Sequence, residues 1–116
     1  MATSTYKILA QAAPTTTGTG VAAASGNYVV PAATAAVVST IAVCNTTSSA
    51  ANAYIYTVPS AGTSGTGNAL VFASSVPANT TVSFTLGITL AAGGALVFGS
   101  GTSGALTFQA YGSEIA

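Results

Sequence analysis

The stretch from Ala36 to Cys44, AVVSTIAVC, decides the fold class of this chain. It is short and rich in β-branched residues, a combination that favours a strand over a helix. Strict two-residue alternation places Val37, Ile41 and Val43 on one face of that strand. We expect this face to lie in a hydrophobic core.

A second stretch, from Thr81 to Leu86, reads TVSFTL and alternates in the same way. Val82, Phe84 and Leu86 are expected to point into the core, while the intervening hydroxyl-bearing side chains point outward. Ile88 and Leu90 continue the apolar pattern beyond it. The segment therefore predicts a second half-buried strand.

The remaining sequence repeats this arrangement, with short apolar segments separated by Gly, Ser, Thr, Asn and Pro clusters. Eight strands are predicted, at Thr5–Gln11, Asn27–Val30, Ala36–Cys44, Ala53–Val58, Ala69–Ala73, Thr81–Leu86, Ala95–Phe98 and Ala105–Tyr111. Their spacing predicts an all-β fold, an antiparallel β-sandwich of about eight strands that resembles a jelly roll. Residues 1–116 form one domain in this interpretation, and residues 12–26 form a low-complexity loop or arm that could order on a neighbouring molecule. The tetrapeptide ALVF occurs at 69–72 and at 95–98, which suggests two strands in similar environments.

The charged residues of this chain are too few for most kinds of chemistry. Lys7 and Glu114 are its only charged residues, and it has no His. Acid–base catalysis requires a titrating group with an orienting partner, and a zinc or calcium site requires several ligands. Binding to nucleic acid requires many basic residues. We therefore expect neither an enzyme nor a cofactor or metal site, and no nucleic-acid or membrane partner.

The surface implied by this composition is unusual, because only 2% of the residues are charged. Strand edges normally carry charges that prevent edge-to-edge pairing, and monomeric domains normally carry a net charge. A chain without these features is expected to be covered in an assembly. The alternative is a monomer whose surface is coated with Thr and Ser hydroxyls.

The candidate interface residues are the five tyrosines and the two charged side chains. Tyr is enriched in protein interfaces and sugar sites because it combines a flat apolar face with a hydroxyl. Tyr54 and Tyr56 share a strand face, where they either form a stacking platform or pack across strands. Lys7 and Glu114 would form an ion pair if the first and last strands pair with residue 7 opposite residue 114. The full candidate set is Tyr6, Lys7, Tyr28, Tyr54, Tyr56, Tyr111 and Glu114.

Several blocks of the sequence resemble a family of small bacteriophage virion structural proteins of the cyanophage type. These blocks are YKILAQ at 6–11, residues 28–31, VVSTIAVCN at 37–45, LGITL at 86–90 and FQAYGSEI at 108–115. They span nearly the whole chain. The resemblance implies a β-rich virion component without catalytic activity.

Composition and resemblance together predict a capsid decoration, or cement, protein. Such a protein would stabilise the phage head by bridging major capsid subunits. We expect it to be a homo-oligomer, with a trimer favoured. Its location would be the virion, after assembly in the host cytoplasm. The alternatives are a tail-fibre or baseplate component with tail or baseplate partners, and a host-surface or carbohydrate-binding module that uses the tyrosines.

Overall fold

The computed structural model describes residues 3–116 and arranges them in two antiparallel β-sheets packed face to face. The nine strands are β1 (Ser4–Ala12), β2 (Tyr28–Val29), β3 (Ala35–Asn45), β4 (Ala51–Val58), β5 (Ala69–Val76), β6 (Thr81–Phe84), β7 (Ile88–Leu90), β8 (Ala95–Ser100) and β9 (Leu106–Ile115). Two short 3₁₀ turns, Ala23–Ser25 and Thr66–Asn68, lie in loops. The predicted all-β sandwich is confirmed.

The strand pairing is nested from the outside of the chain inward. β1 pairs with β9, β2 with β8, β3 with both β6 and β7, and β4 with β5. The sheets have the orders β1-β9-β3-β6, with β7 also on β3, and β2-β8-β4-β5. One long antiparallel ribbon is thus wrapped into a sandwich, which is the path of a jelly roll.

The ninth strand is β7, which covers Ile88–Leu90, just beyond the end of the predicted strand Thr81–Leu86. β6 pairs with Ile41–Cys44 of β3, and β7 pairs with the preceding part, Ala36–Val38. Between them, Gly87 adopts φ +63°, a left-handed conformation that glycine reaches without strain. Leu86 lies in this break and is 48% exposed, so its predicted position in the core is wrong.

The predicted orientation of Val37 is wrong, because β3 contains a β-bulge. The register against β9 shifts by one residue between Val38 and Thr40, which leaves Ser39 as the extra residue. Ala36 and Val38 therefore face the core before the bulge, and Ile41 and Val43 face it afterwards. Ile41 and Val43 lie where the alternation predicted them, but Val37 lies on the outer face.

The main core lies between the two sheets. Phe98 of the four-stranded sheet and Phe108 of the five-stranded sheet stack with ring centroids 4.9 Å apart and planes 7° from parallel. Leu106, Phe108 and Ala110 all point inward, as the alternation predicted. This aromatic pair therefore joins the two sheets within the core.

The loop between β1 and β2 packs on its own chain. Its residues Val21 and Ala23 cover a second apolar cluster on the outer face of the four-stranded sheet. The backbone of Thr16 accepts a hydrogen bond from the Ser100 N–H at 2.8 Å. Residues 12–26 were predicted as a loop or arm, and the structure places this segment as a partial third layer over the sandwich.

Candidate interaction surfaces

The two charged side chains meet at one end of the sandwich. Lys7 Nζ lies 2.7 Å from Glu114 Oε1, with the Lys7 side chain 47% exposed and that of Glu114 14% exposed. Tyr28 Oη donates a hydrogen bond of 2.6 Å to Glu114 Oε2. Lys7 and Glu114 belong to the five-stranded sheet and Tyr28 to the other. Three of the predicted site residues therefore form one network that ties the sheets together.

The predicted ion pair is confirmed, but the predicted register is wrong. β1 and β9 pair antiparallel with Thr5 opposite Glu114 and Lys7 opposite Gly112. Lys7 and Glu114 are therefore diagonal neighbours on the same face of the sheet, a separation that a long side chain spans.

The network changes the proton affinities of its members. The hydrogen bonds from Lys7 first, and from Tyr28 second, lower the pKa of the Glu114 carboxyl below its ordinary value of 4.5. Burial, followed by the hydrogen bond to Glu114 and its negative charge, raises the pKa of the Tyr28 phenol above its ordinary 10.0. At neutral pH Glu114 is therefore a carboxylate and Tyr28 is a neutral phenol. Each carboxylate oxygen of Glu114 thus has one partner, Lys7 on Oε1 and Tyr28 on Oε2.

Tyr54 and Tyr56 share the outer face of the four-stranded sheet, as predicted, but they do not form a platform. Tyr56 is fully buried beneath the loop between β1 and β2, where its hydroxyl donates to the Thr17 carbonyl at 3.1 Å. Tyr54 instead packs across strands, edge-to-face against Phe72 with centroids 5.1 Å apart. A two-ring sugar platform is therefore absent at this pair, and the cross-strand packing is confirmed for Tyr54.

The most exposed of the candidate residues is Tyr6 on β1, at 84%. Its neighbour on the same face, Ile8, is 53% exposed and lies opposite Tyr111 of β9. Val37 on β3 lies opposite Ser113, the β9 partner of Tyr6. The outer face of the five-stranded sheet thus carries an apolar patch, which we define as Tyr6, Ile8, Val37 and Tyr111. Sequence reasoning selected Tyr6 and Tyr111 but missed Ile8 and Val37. The two-residue spacing of Tyr6 and Ile8 could have shown that both side chains lie on the same face of β1.

Phe72 and Leu70 on β5 were also missed, and they are 54% and 44% exposed. Phe72 lies on the outer face of the four-stranded sheet, next to Tyr54. Large exposed apolar side chains therefore occur on both outer faces of the sandwich.

The part of the chain from residue 3 onward holds no group of three or more side chains of the kinds that ligate metals. Over the same residues, no helix has the length and apolar character needed to cross a bilayer. A shallow groove at the end of β4 and β7 is lined by hydroxyl-bearing and aliphatic side chains, among them Thr57, Ser60, Thr89 and Leu90. These side chains have no group that titrates near neutral pH.

Comparison with known proteins adds no relative: no protein-family model, curated protein or solved structure matches this chain.

Proposed function

We propose that this chain is a non-catalytic structural protein of a bacteriophage virion, and specifically a capsid decoration protein that bridges major capsid subunits. The observation that carries the proposal is a jelly-roll domain whose only charged side chains are paired with each other. The only two charged side chains of the sequence neutralise each other within one hydrogen-bonded network. Such a surface gains more from burial against a partner than from exposure to water.

The fold supports the same proposal by analogy. Jelly rolls form many viral capsid domains as well as lectin domains, so the architecture by itself leaves the function open. The resemblance of the sequence blocks at 6–11, 37–45 and 108–115 to small phage virion proteins favours the virion. The burial of Tyr56 removes the two-ring site on which the carbohydrate-binding alternative depended.

The distribution of exposed apolar side chains supports a bridging role. The patch of Tyr6, Ile8, Val37 and Tyr111 lies on the outer face of the five-stranded sheet, and Phe72 lies on the opposite outer face. A single molecule can therefore contact neighbours on two sides. Repetition of weak contacts over a capsid lattice multiplies their effect without requiring a large interface for each.

The decisive experiment is to measure the copy number of this chain in purified virions by quantitative mass spectrometry. A molar ratio to the major capsid protein near one, or a simple fraction of one, is the expected result. A ratio tens of times lower would replace the capsid assignment with the tail-fibre or baseplate alternative. Absence of the chain from virions would overturn the virion proposal altogether.

A matched pair of variants tests the bridging contact on the four-stranded sheet. Phe72→Ser removes an exposed aromatic ring, and Ser75→Ala alters an exposed residue of the same strand as the control. We expect the Phe72 variant to fold but to occupy capsids less fully than the wild type and the Ser75 variant. Equal occupancy of all three proteins would contradict a role for this face.

A further inference from the structure

Each sheet has two edges, and the four edges differ in how readily they can pair with a further strand. β2 has only two residues, and the β6–β7 edge is broken at residues 85–87. β5 shows two register shifts against β4, and Ala73 within it adopts φ +53°. Short, bulged and interrupted edges resist pairing with a further strand. These three edges are therefore protected.

The fourth edge, β1, is regular over Ser4–Ile8 and is exposed along that length. Its first irregularity is the register shift between Ile8 and Ala10. Lys7 is the sole charged residue of β1, and it is engaged by Glu114 on the inner side of the sheet. Between Ser4 and Ile8 this edge has no proline and no bulge, and its one charged side chain, Lys7, is paired with Glu114. It therefore has fewer of the features that prevent strand addition than the other three edges.

The backbone groups that face outward can be assigned from the pairing with β9. Thr3 and Ala116 exchange both of their backbone hydrogen bonds, at 2.7 and 3.1 Å. Hydrogen-bonded and non-hydrogen-bonded pairs alternate along antiparallel strands, so residues 5 and 7 also bond to β9. The N–H and C=O groups of Ser4, Tyr6 and Ile8 therefore point away from β9, toward the open edge.

We propose that this edge pairs with the same edge of a second copy of the chain, antiparallel and across a two-fold axis at Tyr6. In this register Tyr6 faces Tyr6 of the second copy, and Ser4 faces Ile8. Each of these pairs exchanges both backbone hydrogen bonds, because the outward groups of an antiparallel edge are complementary to themselves. The two five-stranded sheets become one continuous sheet.

The side chains of β1 favour a second copy of the chain as the partner of this edge. Tyr6 and Ile8, the exposed apolar residues of β1, lie on the outer face, so the two-fold pairing places two tyrosines side by side with an isoleucine flanking each. Aromatic and β-branched cross-strand pairs stabilise antiparallel sheets. Within the described residues, the one charged side chain of β1, Lys7, is already paired with Glu114 of its own copy. A two-fold contact differs from the trimer expected from the sequence, since a closed trimer requires two different surfaces to meet.

The oligomeric state of the purified full-length chain tests this pairing independently of any role in the virion. In sedimentation equilibrium, the wild type is expected to shift from 11.0 kDa toward twice that mass as its concentration increases. Tyr6→Lys introduces an edge charge and should weaken dimerisation at least about tenfold. Leu86→Lys, at an exposed apolar residue of the opposite edge, is the matched control and should dimerise like the wild type. A wild type that stays monomeric, or an oligomer indifferent to Tyr6→Lys, overturns the proposal.

Disulfide trapping tests the register. In a Cys44→Ser background, which removes the free cysteine, Tyr6→Cys places two cysteines opposite each other with Cα atoms about 5.5 Å apart, within disulfide range. Rapid cross-linking at position 6, and none with Ser4→Cys alone, is the expected result. Mixing the Ser4→Cys and Ile8→Cys proteins should restore a cross-link. Equal trapping at positions 4 and 6 in the single variants would overturn this two-fold register.

Discussion

Tyr28 and Glu114 are 86 residues apart in the sequence, yet the phenol of one donates a 2.6 Å hydrogen bond to the carboxylate of the other. This bond links β2 of the four-stranded sheet to β9 of the five-stranded sheet. Hydrogen bonds to charged groups are shorter and stronger than those between neutral groups. The only acidic side chain of the chain therefore acts as an inter-sheet connection as well as the partner of Lys7.

Replacement of Tyr28 by Phe removes this connection while it keeps the buried ring. We expect Tyr28→Phe to lower the free energy of unfolding by about 1–2 kcal/mol, since the carboxylate loses a strong donor at a largely buried site. Tyr111→Phe is the control, because Tyr111 Oη bonds to Gln109 on the half-exposed outer face, where water can substitute. Urea unfolding of both variants measures the difference. Equal losses would show that the inter-sheet bond contributes nothing specific.

Stability is expected to be flat between about pH 5 and pH 9 and to fall on both sides of that range. Glu114 has a lowered pKa in the folded state, so its contribution is present above its ordinary 4.5 and is lost as the pH falls through the folded value. Tyr28 has a raised pKa, so its contribution is present below 10.0 and is lost as the pH rises through the folded value. Thermal unfolding from pH 3 to pH 11 measures both effects.

Two variants assign the acid and alkaline effects to their residues. Glu114→Gln should remove most of the decline at low pH, because Glu114 is the only side-chain carboxyl of the sequence. Tyr28→Phe should reduce the decline at high pH. A Tyr28→Phe melting temperature that falls in parallel with the wild type above pH 10 would contradict the assignment of the alkaline effect.

Asn45, at the end of β3, is expected to be intolerant of a change to Asp. The side chain is fully buried, and its amide donates to the carbonyls of Ser49 at 2.9 Å and Val76 at 3.0 Å. A carboxylate would face both carbonyls without a proton to donate, so Asn45→Asp should cost about 3 kcal/mol or more near neutral pH. Asn52→Asp, at an exposed position of β4, should be close to neutral in the same chemical denaturation experiment. Similar midpoints for both variants would contradict this role of Asn45.

The alternation of apolar and polar residues predicted the fold class correctly. It did not predict the orientation of every side chain. Alternation correctly assigned Ile41 and Val43 to the core, because the strand is regular on that side of Ser39. It failed at Val37, because one extra residue in a bulge reverses the faces and bulges have no reliable signal in a single sequence. The assignment of Leu86 to the core was wrong because β6 ends at Phe84, two residues before Leu86.

The two ALVF segments, at 69–72 and 95–98, have the same sequence but lie in different environments. The ALVF of β8 lies in a strand between two neighbours, covered on one side by the other sheet and on the other side by the loop between β1 and β2, and all four residues are buried. The ALVF of β5 lies at a sheet edge, where Leu70 and Phe72 are exposed. The expectation of similar environments was wrong, because burial depends on strand order, which four residues do not encode. The same reasoning explains why Ile8 and Phe72 were missed as surface residues.

The attachment of the loop between β1 and β2 to the sandwich gives the last prediction. Gly99 of β8 lies directly beneath the backbone of Thr17, and a Cβ at this position would collide with the Thr17 carbonyl. Gly99→Ala should therefore displace the loop, expose part of the cluster that contains Tyr56, and lower the free energy of unfolding by about 2–4 kcal/mol. Gly67→Ala is the matched control, because its Cβ would meet nothing within 4 Å. Amide hydrogen exchange should show faster exchange at the Ser100 N–H, which bonds to Thr16, in the Gly99 variant only. Unchanged exchange in that variant would show that the loop is held independently of its contact with Gly99.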